Sequence, residues 1–462
     1  MLKIISRNLF LLAMLLIAFG CSEDFPDNPK SNQPPETFTS IFTERDLNPT
    51  ISRQTIHWWG DDPDGAVVGF IYTFKENAAN VETWSNNAPN PDWIFTNKTQ
   101  ETFTLQLSGN DTTYAFRVKA VDDEGAADPT AAVQRFPIIN SKPAVEFPLG
   151  TEVPETTFTV ASFTWRGSDP DGDDTIAKYQ YVLDDTTNDS AWKDLNSRTN
   201  TILLNTAEGL TEGRHVFYLR AIDIAGAVSR IIRMPRNETG VWFVREPKSN
   251  FLVIDDYNIT DNTANFYHTT LQAIVGSFDV WDIKRNNSAL DPPSSQAFTE
   301  TLLLFDRIFW YADTDPNLEK AQVGIPTFID RGGKLIMTTS FREFTSNLGD
   351  PLDFSPVDSL GARIARITRN QPVQATPAAT ALGLPELRVS VTIIPNVFPL
   401  VPKISSTTLY ALPENPSLWP GTPAMAAMDG NSSFVFFGLP ISSLDGLGTA
   451  KQVIEKILTD IF

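Results

Sequence analysis

An internal repeat constrains the fold of the first half of the chain more than any other feature of the sequence. A segment at residues 57–65 (HWWGDDPDG) recurs at 163–172 as FTWRGSDPDG, and a segment at 114–122 (YAFRVKAVD) recurs at 215–223 as HVFYLRAID. Apolar residues alternate with polar ones along these segments, which is typical of strands with one buried face. Acidic, glycine-containing turns separate the strands. Each copy, roughly 100 residues long, therefore predicts an antiparallel all-β module.

The repeated unit resembles the fibronectin-III and Ig-like modules of bacterial surface lipoproteins. The resemblance covers residues 37–245 and rests on three features: a W-x-x-(S/D)-D-P-D-G turn, a later tryptophan (Trp84 or Trp192), and a strand that ends in A-(V/I)-D. It implies two β-sandwiches, at residues 37–138 and 139–246. Such sandwiches serve as spacers, adhesins and sugar binders alike, so the resemblance implies a fold and leaves the function open.

Acidic residues are concentrated in two loops of each module that emerge at the same end of such a sandwich. They are Asp62, Asp64, Asp122 and Asp123 in the first module, and Asp169, Asp171, Asp173, Asp174 and Asp223 in the second. Calcium prefers six to eight carboxylate and carbonyl oxygens, so these residues are candidate calcium ligands. The alternative is turn chemistry, in which aspartate side chains accept hydrogen bonds from nearby backbone amides.

Four tryptophans of the modules divide into two groups. Trp58 and Trp165 stand at equivalent strand positions before the turn, which predicts packing between the two sheets. Trp59 and Trp93 have no obvious partner in the second copy. These two are therefore the candidates for stacking against a sugar.

The pattern changes near Pro247, and residues 247–462 predict an α/β domain. Strands are expected at 251–256, 278–283, 307–312 and 334–340, helices at 263–275 and 318–331, a hairpin at 423–428 and 433–439, and a closing helix at 449–461. Alternating strands and helices predict a mostly parallel sheet with helices on both faces. The proline-rich residues 345–422 are expected to be an irregular insertion with a few short strands.

Three pieces of this region resemble the class I glutamine amidotransferase-like superfamily. They are the opening strand VIDD at 253–256, the helix-to-strand step FIDRGGKLIM at 328–337, and the late strand FVFFGLP at 434–440 before a final helix. The resemblance covers 249–344 and 423–462 and implies a flavodoxin-like sheet.

The catalytic residues of that superfamily do not carry over to this chain. Its enzymes use a cysteine at a strand-to-helix elbow, activated by a histidine and a carboxylate. Here Cys21 is the single cysteine, and the three histidines are His57, His215 and His268. The resemblance therefore implies a non-catalytic relative.

A crevice at the carboxyl ends of the predicted parallel strands is the remaining place for a ligand. The sequence puts Asp255, Asp256, Asp313, Thr339 and Ser340 there, which makes them candidate ligand-binding residues with a divalent metal at the first pair. Acids at two strand ends and a hydroxyl at a third also resemble a phospho-receiver site, but no lysine follows a fifth strand. No G-x-S-x-G elbow surrounds Ser340. In the alternative interpretation, Asp255 caps a loop or the following helix.

The first residues resemble the signal peptide and lipobox of a bacterial lipoprotein. Basic Lys3 and Arg7 precede an apolar run at 9–19 and then Gly20-Cys21, which predicts a signal peptide at 1–20 and acylation of Cys21. Residues 21–36 are expected to be a flexible linker. The acidic stretch at 22–25 resembles the signal that routes some lipoproteins to the outer face of the outer membrane.

Charge excludes one class of partner. With 36 basic and 56 acidic residues the net charge is −20, which repels phosphate backbones and excludes nucleic-acid binding. The sequence favours an outer-membrane lipoprotein that binds a polysaccharide or an envelope protein without catalysis. The alternatives left open are a metal-assisted or carboxylate-based hydrolase acting on polysaccharide, and a structural subunit of an outer-membrane complex.

Overall fold

The computed structural model describes residues 31–40, 53–76, 93–104, 111–284, 294–342 and 351–462. These residues belong to two compact units, one made of 1–141 with 170–172 and the other of 142–169 with 173–462. The predicted signal peptide, Cys21 and Trp84 lie outside the described residues, so what was expected of them stays a prediction. Within the described ranges, no helix is both long and apolar enough to span a bilayer.

The first module is a β-sandwich of two antiparallel sheets. Its strands are β1 (Glu36–Ser40), β2 (Arg53–Asp61), β3 (Val67–Glu76), β4 (Ile94–Thr96), β5 (Gln100–Thr104), β6 (Asp111–Asp122) and β7 (Ala132–Ile139). One sheet has the order β1-β2-β5 and the other β4-β3-β6-β7. Trp58 is buried between them, with its ring 5.4 Å from that of Phe116. Its indole Nε1 donates to the Lys98 carbonyl (2.8 Å), so the core role expected of Trp58 is confirmed.

The second module repeats this plan with shorter strands. They are β8 (Ala144–Glu146), β9 (Thr156–Thr157), β10 (Ala161–Thr164), β11 (Arg166–Ser168), β12 (Ile176–Leu183), β13 (Lys193–Asn196), β14 (Thr201–Leu204), β15 (Gly213–His215), β16 (Phe217–Asp223), β17 (Ile232–Met234) and β18 (Trp242–Val244). The largest sheet has the order β13-β12-β16-β17. Trp165 is buried against Tyr179, and Phe163 stacks on Phe217 at 4.0 Å between ring centroids.

Five strands of the α/β region run parallel in one sheet. They are β19 (Phe251–Asp256), β20 (Asp279–Asp282), β21 (Arg307–Ala312), β22 (Lys334–Thr338) and β31 (Phe434–Phe437), in the spatial order β20-β19-β21-β22-β31. The helices are α1 (Thr263–Val275), α2 (Ser295–Leu302), α3 (Leu318–Asp330), α4 (Pro377–Ala381) and α5 (Ala450–Lys456), the last continued by a π-helical turn at Ile457–Ile461. Helices α1 and α5 pack on one face of the sheet and α2 and α3 on the other.

The predicted insertion does not stand apart from this sheet, and the expectation of a mostly parallel sheet needs correction. The remaining strands are β23 (Val357–Leu360), β24 (Ile364–Thr368), β25 (Pro372–Ala375), β26 (Leu387–Arg388), β27 (Ile393–Val397), β28 (Leu400–Pro402), β29 (Thr407–Ala411) and β30 (Ala424–Met428). Beyond β31 the sheet continues antiparallel through β30, β29, β25 and β26, with β28 and β23 branching from β30, to give eleven strands. The sheet is mixed because the β30–β31 hairpin turns the chain back and offers an edge on which β29 pairs.

A shared core joins the second sandwich to the α/β region. Phe158, from the loop after β9, is 2% exposed and belongs to the hydrophobic cluster beneath α2 and α3. Its ring lies 5.2 Å from that of Phe305 and 6.3 Å from that of Trp281, both edge-on. The Arg245 guanidinium covers the same ring at 4.3 Å and pairs with the buried Asp279 at 3.0 Å. The two parts are therefore packed as one unit.

Candidate functional site at the carboxyl edge of the parallel strands

The parallel strands bring the predicted crevice residues together. Asp255 and Asp256 end β19, Asp313 follows β21, and Thr339 follows β22. The Thr339 hydroxyl donates to the Asp313 carbonyl (2.7 Å), and the Asp313 amide donates to the Asp256 carbonyl (3.3 Å). Ser340 joins through its amide, 3.4 Å from the same Asp313 carbonyl. All five residues lie at one edge because the carboxyl ends of parallel strands meet there.

Asp256 is the most deeply buried acid of this crevice, with 0% of its surface exposed. Its Oδ2 accepts from the Asn317 amide (2.7 Å) and from the Trp310 indole Nε1 (3.2 Å). Its Oδ1 accepts from the Asn317 side chain (2.5 Å) and lies 3.7 Å from the Lys284 ammonium. Asp256 therefore ties the end of β19 to β21, to the start of α3 and to the end of β20.

Lys284 supplies the positive charge of the crevice. Its Nζ lies 2.7 Å from Asp313 Oδ1 and donates to the Asp315 carbonyl. The Asp313 carboxylate also accepts from the backbone amides of Asn258 (3.0 Å) and Asp315 (2.8 Å). One ammonium is thus shared between two buried carboxylates, which offsets part of the cost of burying them.

A divalent metal at Asp255 and Asp256 stays a prediction, and the described contacts place a lysine ammonium beside Asp256 and Asp313. A lysine side chain supplies the cation between the acids, and Asp255 Oδ1 instead accepts from the Tyr257 amide (3.2 Å) in a local turn. In the part of the chain that the structure describes, no three His, Cys, Asp or Glu side chains are grouped to hold a metal ion. In a receiver site the conserved lysine follows the fifth parallel strand. Here Lys284 follows β20, the second parallel strand in chain order, so the resemblance did not point to it.

Burial raises the pKa of the Asp256 carboxyl to about 6, although the Asn317 and Trp310 hydrogen bonds and the Lys284 charge act in the opposite direction. A raised pKa means that the folded chain binds a proton more tightly than the unfolded chain. This contribution to stability is present below the unfolded value of 3.8 and is lost as the pH rises through about 6.

We expect Asp256→Asn to remove that pH dependence. Between pH 4 and pH 6 the free energy of unfolding of the wild type should fall by up to about 3 kcal/mol relative to the variant. Urea unfolding of both proteins at a series of pH values measures the difference directly. A difference that rises with pH would mean that the Lys284 ion pair, and not burial, controls this carboxyl.

The histidines lie elsewhere. His215 is buried in the second sandwich, where its ring nitrogens contact Asp184 Oδ2 (2.9 Å) and the Thr211 carbonyl (2.7 Å). His57 lies on β2, and His268 lies on α1, with its ring 3.4 Å from the Tyr311 hydroxyl. After β31, where enzymes of the resembled superfamily place a histidine, the Ile441 amide donates to the Thr338 hydroxyl and the Ser442 amide to the Tyr267 hydroxyl.

The acidic loops of the first sandwich follow turn chemistry. Asp122 Oδ1 accepts from the amides of Glu124 (3.0 Å) and Ala126 (2.7 Å), and Asp62 Oδ1 accepts from the Asp64 amide (3.3 Å). The segment before β1 closes over these loops. The Asn32 side chain donates to Asp122 (2.8 Å), and the Gln33 amide donates to Asp64 (3.2 Å). Part of the predicted flexible linker is therefore ordered against the loops expected to hold calcium.

The second sandwich uses its loop acids in the same way. Asp223 Oδ1 accepts from the Ala227 amide (2.8 Å), and Asp173 Oδ1 accepts from the Asp169 amide (3.0 Å). Asp171 Oδ2 accepts from the Ser141 amide (2.9 Å), as Asp64 does from Gln33 in the first copy. The described geometry thus shows one oxygen of each of these carboxylates accepting from a backbone amide, and calcium binding at the loops stays a prediction.

Trp93 has a counterpart in the second module, contrary to the sequence-based expectation. It stands directly before β4, as Trp192 stands directly before β13. The Lys119 ammonium lies 6.0 Å from the Trp93 ring, and the equivalent Arg220 guanidinium lies 4.1 Å from the Trp192 ring. Trp93 thus belongs to a repeated cation–π contact within the module. The sequence signal for this equivalence is the strand that begins at the next residue in each module, at Ile94 and at Lys193.

An open groove of about 480 Å³ lies in the predicted insertion, away from the crevice acids. It is lined by residues 361–364, 399–402, 408, 418–420 and 422–424. Leu418 is 64% exposed at its rim, whereas Trp419 is buried and its indole Nε1 donates to the Pro413 carbonyl (2.9 Å). Arg363 is the one charged residue in the lining, and it donates to the Asn396 side chain (2.7 Å).

Comparison with known proteins gives structural neighbours only. No family model matches this chain, and no curated protein matches it. The fibronectin(III)-like modules of Clostridium thermocellum CbhA align at 14% identity and a TM-score of 0.19, over 45% of this chain and 95% of that one. The FN1-FN3 domains of chicken CNTN1 align at 12% identity and a TM-score of 0.20, over 48% of this chain and 69% of that one. By its own strand pairing, this chain carries tandem β-sandwich modules of the fibronectin-III or Ig-like class.

Proposed function

We propose that this chain is an outer-membrane lipoprotein, acylated at Cys21, that binds an envelope protein through its α/β region without catalysing a reaction. The basic n-region, the apolar run and Cys21 support the anchor. The two sandwiches act mainly as spacers that hold the α/β region away from the membrane. The strand order β20-β19-β21-β22-β31 is the order 2-1-3-4-5 of flavodoxin-like sheets, which supports descent from an amidotransferase-like domain.

The observation that carries the proposal is the contrast between the crevice and the groove. In the crevice, the Asp256 and Asp313 carboxylates are occupied by Lys284, Asn317, Trp310 and backbone amides. A ligand that used those carboxylates would have to displace these contacts. The groove is open and lined by aliphatic and proline side chains, so it can accept a ligand without such displacement.

The groove chemistry favours a polypeptide segment over a sugar. Its apolar lining includes Leu418, Val401 and four prolines, and its single aromatic ring, Trp419, is buried. Sugars are usually held by exposed rings, whereas aliphatic pockets suit aliphatic side chains. Arg363 at the rim adds a site for a carboxylate of the bound segment.

A photo-crosslinking amino acid at position 418 tests this proposal in the intact envelope. We expect one discrete adduct from position 418 and none from position 447, where Leu447 is also exposed but does not line the groove. Adding Arg363→Glu should weaken the adduct at 418, because it reverses the charge at the rim. Equal labelling from both positions, or no adduct from either, would contradict groove binding.

The hydrolase alternative has one favourable observation, the raised pKa of Asp256. Against it, the Asp256 side chain is fully buried, so a glycosidic oxygen cannot reach it without rearrangement of the crevice. Hydrolysis of glutamine, esters or glycosides by the purified chain, lost in Asp256→Asn, would establish the alternative and overturn the non-catalytic role.

A further inference from the structure

The outer face of the β1-β2-β5 sheet carries an aromatic pair, a half-buried Phe38 and an exposed Trp59. Phe38 and Trp59 stand directly opposite each other on β1 and β2, and their rings stack at 5.6 Å between centroids and 18° between planes. Trp59 is 50% exposed, although its neighbour Trp58 is buried in the core. A cross-strand aromatic pair stabilises a sheet by up to about 1 kcal/mol, and the exposed half of the Trp59 ring is still open to a ligand.

The second module shows that the sandwich does not require this pair. In the repeat, Trp59 corresponds to Arg166 and Phe38 to Glu146, and these two stand opposite each other on β11 and β8. A cross-strand pair of opposite charge is ordinary surface chemistry for a sheet. The aromatic pair is therefore a feature of the first module alone, placed on a framework that also folds with a charged pair.

An acidic pair flanks the aromatic pair on the same face. Glu36 and Asp61 are directly opposite each other, one outward position along from Phe38 and Trp59, and both are exposed. Like charges in directly opposed positions destabilise a sheet, and the corresponding second-module pair is the uncharged Ala144 and Ser168. In the described residues, neither Glu36 nor Asp61 forms an ion pair. The pair forms a negative end next to the rings, complementary to a cation.

Hydroxyl, imidazole and amide groups lie on the other side of the aromatic pair. Ser40 is opposite His57, and His57 is in turn opposite Gln100 on β5. Beyond them the Thr55 and Thr102 hydroxyls contact each other at 2.8 Å. Along the strands, the face therefore presents first the two acids, then the two aromatic rings, and then hydroxyl, imidazole and amide groups.

We propose that this face, defined by Glu36, Asp61, Phe38, Trp59, His57 and Gln100, binds a saccharide bearing protonated amines, of the polyglucosamine class. The apolar C–H face of a sugar ring stacks on Trp59, as flat apolar groups do on indole rings. The ammonium is held by Glu36 and Asp61 and by the aromatic faces. The hydroxyls of the adjoining sugar meet His57 and Gln100. A lysine-rich peptide could also use the acids and rings, and we assign the saccharide because one sugar chain brings both ammonium groups and a row of hydroxyls for Ser40, His57 and Gln100.

Saccharide binding at this face gives the first sandwich a role beyond that of a spacer. It is independent of the groove, because the face belongs to the first module and the groove to the α/β region. Loss of one activity therefore leaves the other measurable.

Titration calorimetry of the full-length lipoprotein in detergent, with a soluble glucosamine oligomer, tests the proposal. The sharpest variants copy the second module. Phe38→Glu with Trp59→Arg installs the pair that the second sandwich already tolerates, and Glu36→Ala with Asp61→Ser does the same for the acids. Each double variant should bind the oligomer about tenfold more weakly, from lost cation–π contact or lost ion pairing. Phe95→Arg is the matched control, since Phe95 is also exposed but lies on β4 of the other sheet.

The outcomes separate the possible occupants. The proposal predicts binding of the free-amine oligomer, weaker binding of its N-acetylated form, and a loss of affinity at high salt. Equal binding of the two oligomers would overturn the role of the acids and leave a neutral-sugar site. Tighter binding of an oligolysine than of the glucosamine oligomer would overturn the saccharide assignment. Unchanged binding in both double variants would place the binding elsewhere.

Discussion

Asp256→Ala is expected to lower the free energy of unfolding of the α/β region by about 3–5 kcal/mol, the usual cost of removing one partner from a buried ion pair. The variant leaves the Lys284 ammonium, the Asn317 amide and the Trp310 indole without their shared acceptor in a place that water barely reaches. The loss also disconnects the ends of β19, β20 and β21 from the start of α3. Urea unfolding followed by near-ultraviolet circular dichroism measures it.

Asp315→Ala is the matched control for this experiment. Its side chain is exposed in the same loop, and the variant keeps the carbonyl that accepts from Lys284. We expect a change within about 0.5 kcal/mol. A stabilised Asp256→Ala protein would contradict our interpretation, because it would indicate a strained carboxylate kept for chemistry and not for structure.

Local sequence patterns predicted most of the long elements of the α/β region, although helix α2 (Ser295–Leu302) was not expected. The strand at 251–256 and the helix at 263–275 have the predicted bounds, and the helix at 318–331 ends one residue earlier, at Asp330. Each carries its own signal, since a run of apolar residues or a helical period is contained within the segment.

The partners of the crevice acids could not be predicted in the same way. Lys284 and Asn317 contact Asp256, but they are 28 and 61 residues away from it in the sequence. No local pattern marks Lys284 as the lysine that follows the second strand of this sheet. The acids are recognisable because each ends or follows a predicted strand, whereas their counter-ion, Lys284, carries no such local signal.

The extent of the sheet escaped prediction for a related reason. The strands between 357 and 411 are two to five residues long, too short for a period to be distinguished. Their place is fixed by pairing with β30 and with each other, as when Leu400 pairs with Ala424. Whether a short segment forms a strand depends on the strand that pairs with it more than on its own residues. The proline-rich segment was therefore expected to be irregular.

Phe158→Ala tests whether the second sandwich and the α/β region unfold together. The variant removes a ring that is 2% exposed and packs against Phe305, Trp281 and the Arg245 guanidinium. Such a truncation costs about 3–5 kcal/mol, and Arg245 also loses the surface that positions it against the buried Asp279.

Differential scanning calorimetry distinguishes coupled from independent unfolding. In the wild type, residues 142–462 should contribute one cooperative transition, apart from that of the first sandwich, because Phe158 belongs to the core on which α2 and α3 pack. In Phe158→Ala that transition should move to lower temperature and split, with the sandwich and the α/β region melting separately. Phe243→Ala, which removes an exposed ring from β18 of the same sandwich, should leave a single transition near the wild-type temperature. Two separate transitions already present in the wild type would mean that the Phe158 contact does not couple the two parts. In that case the second sandwich would serve only as a spacer.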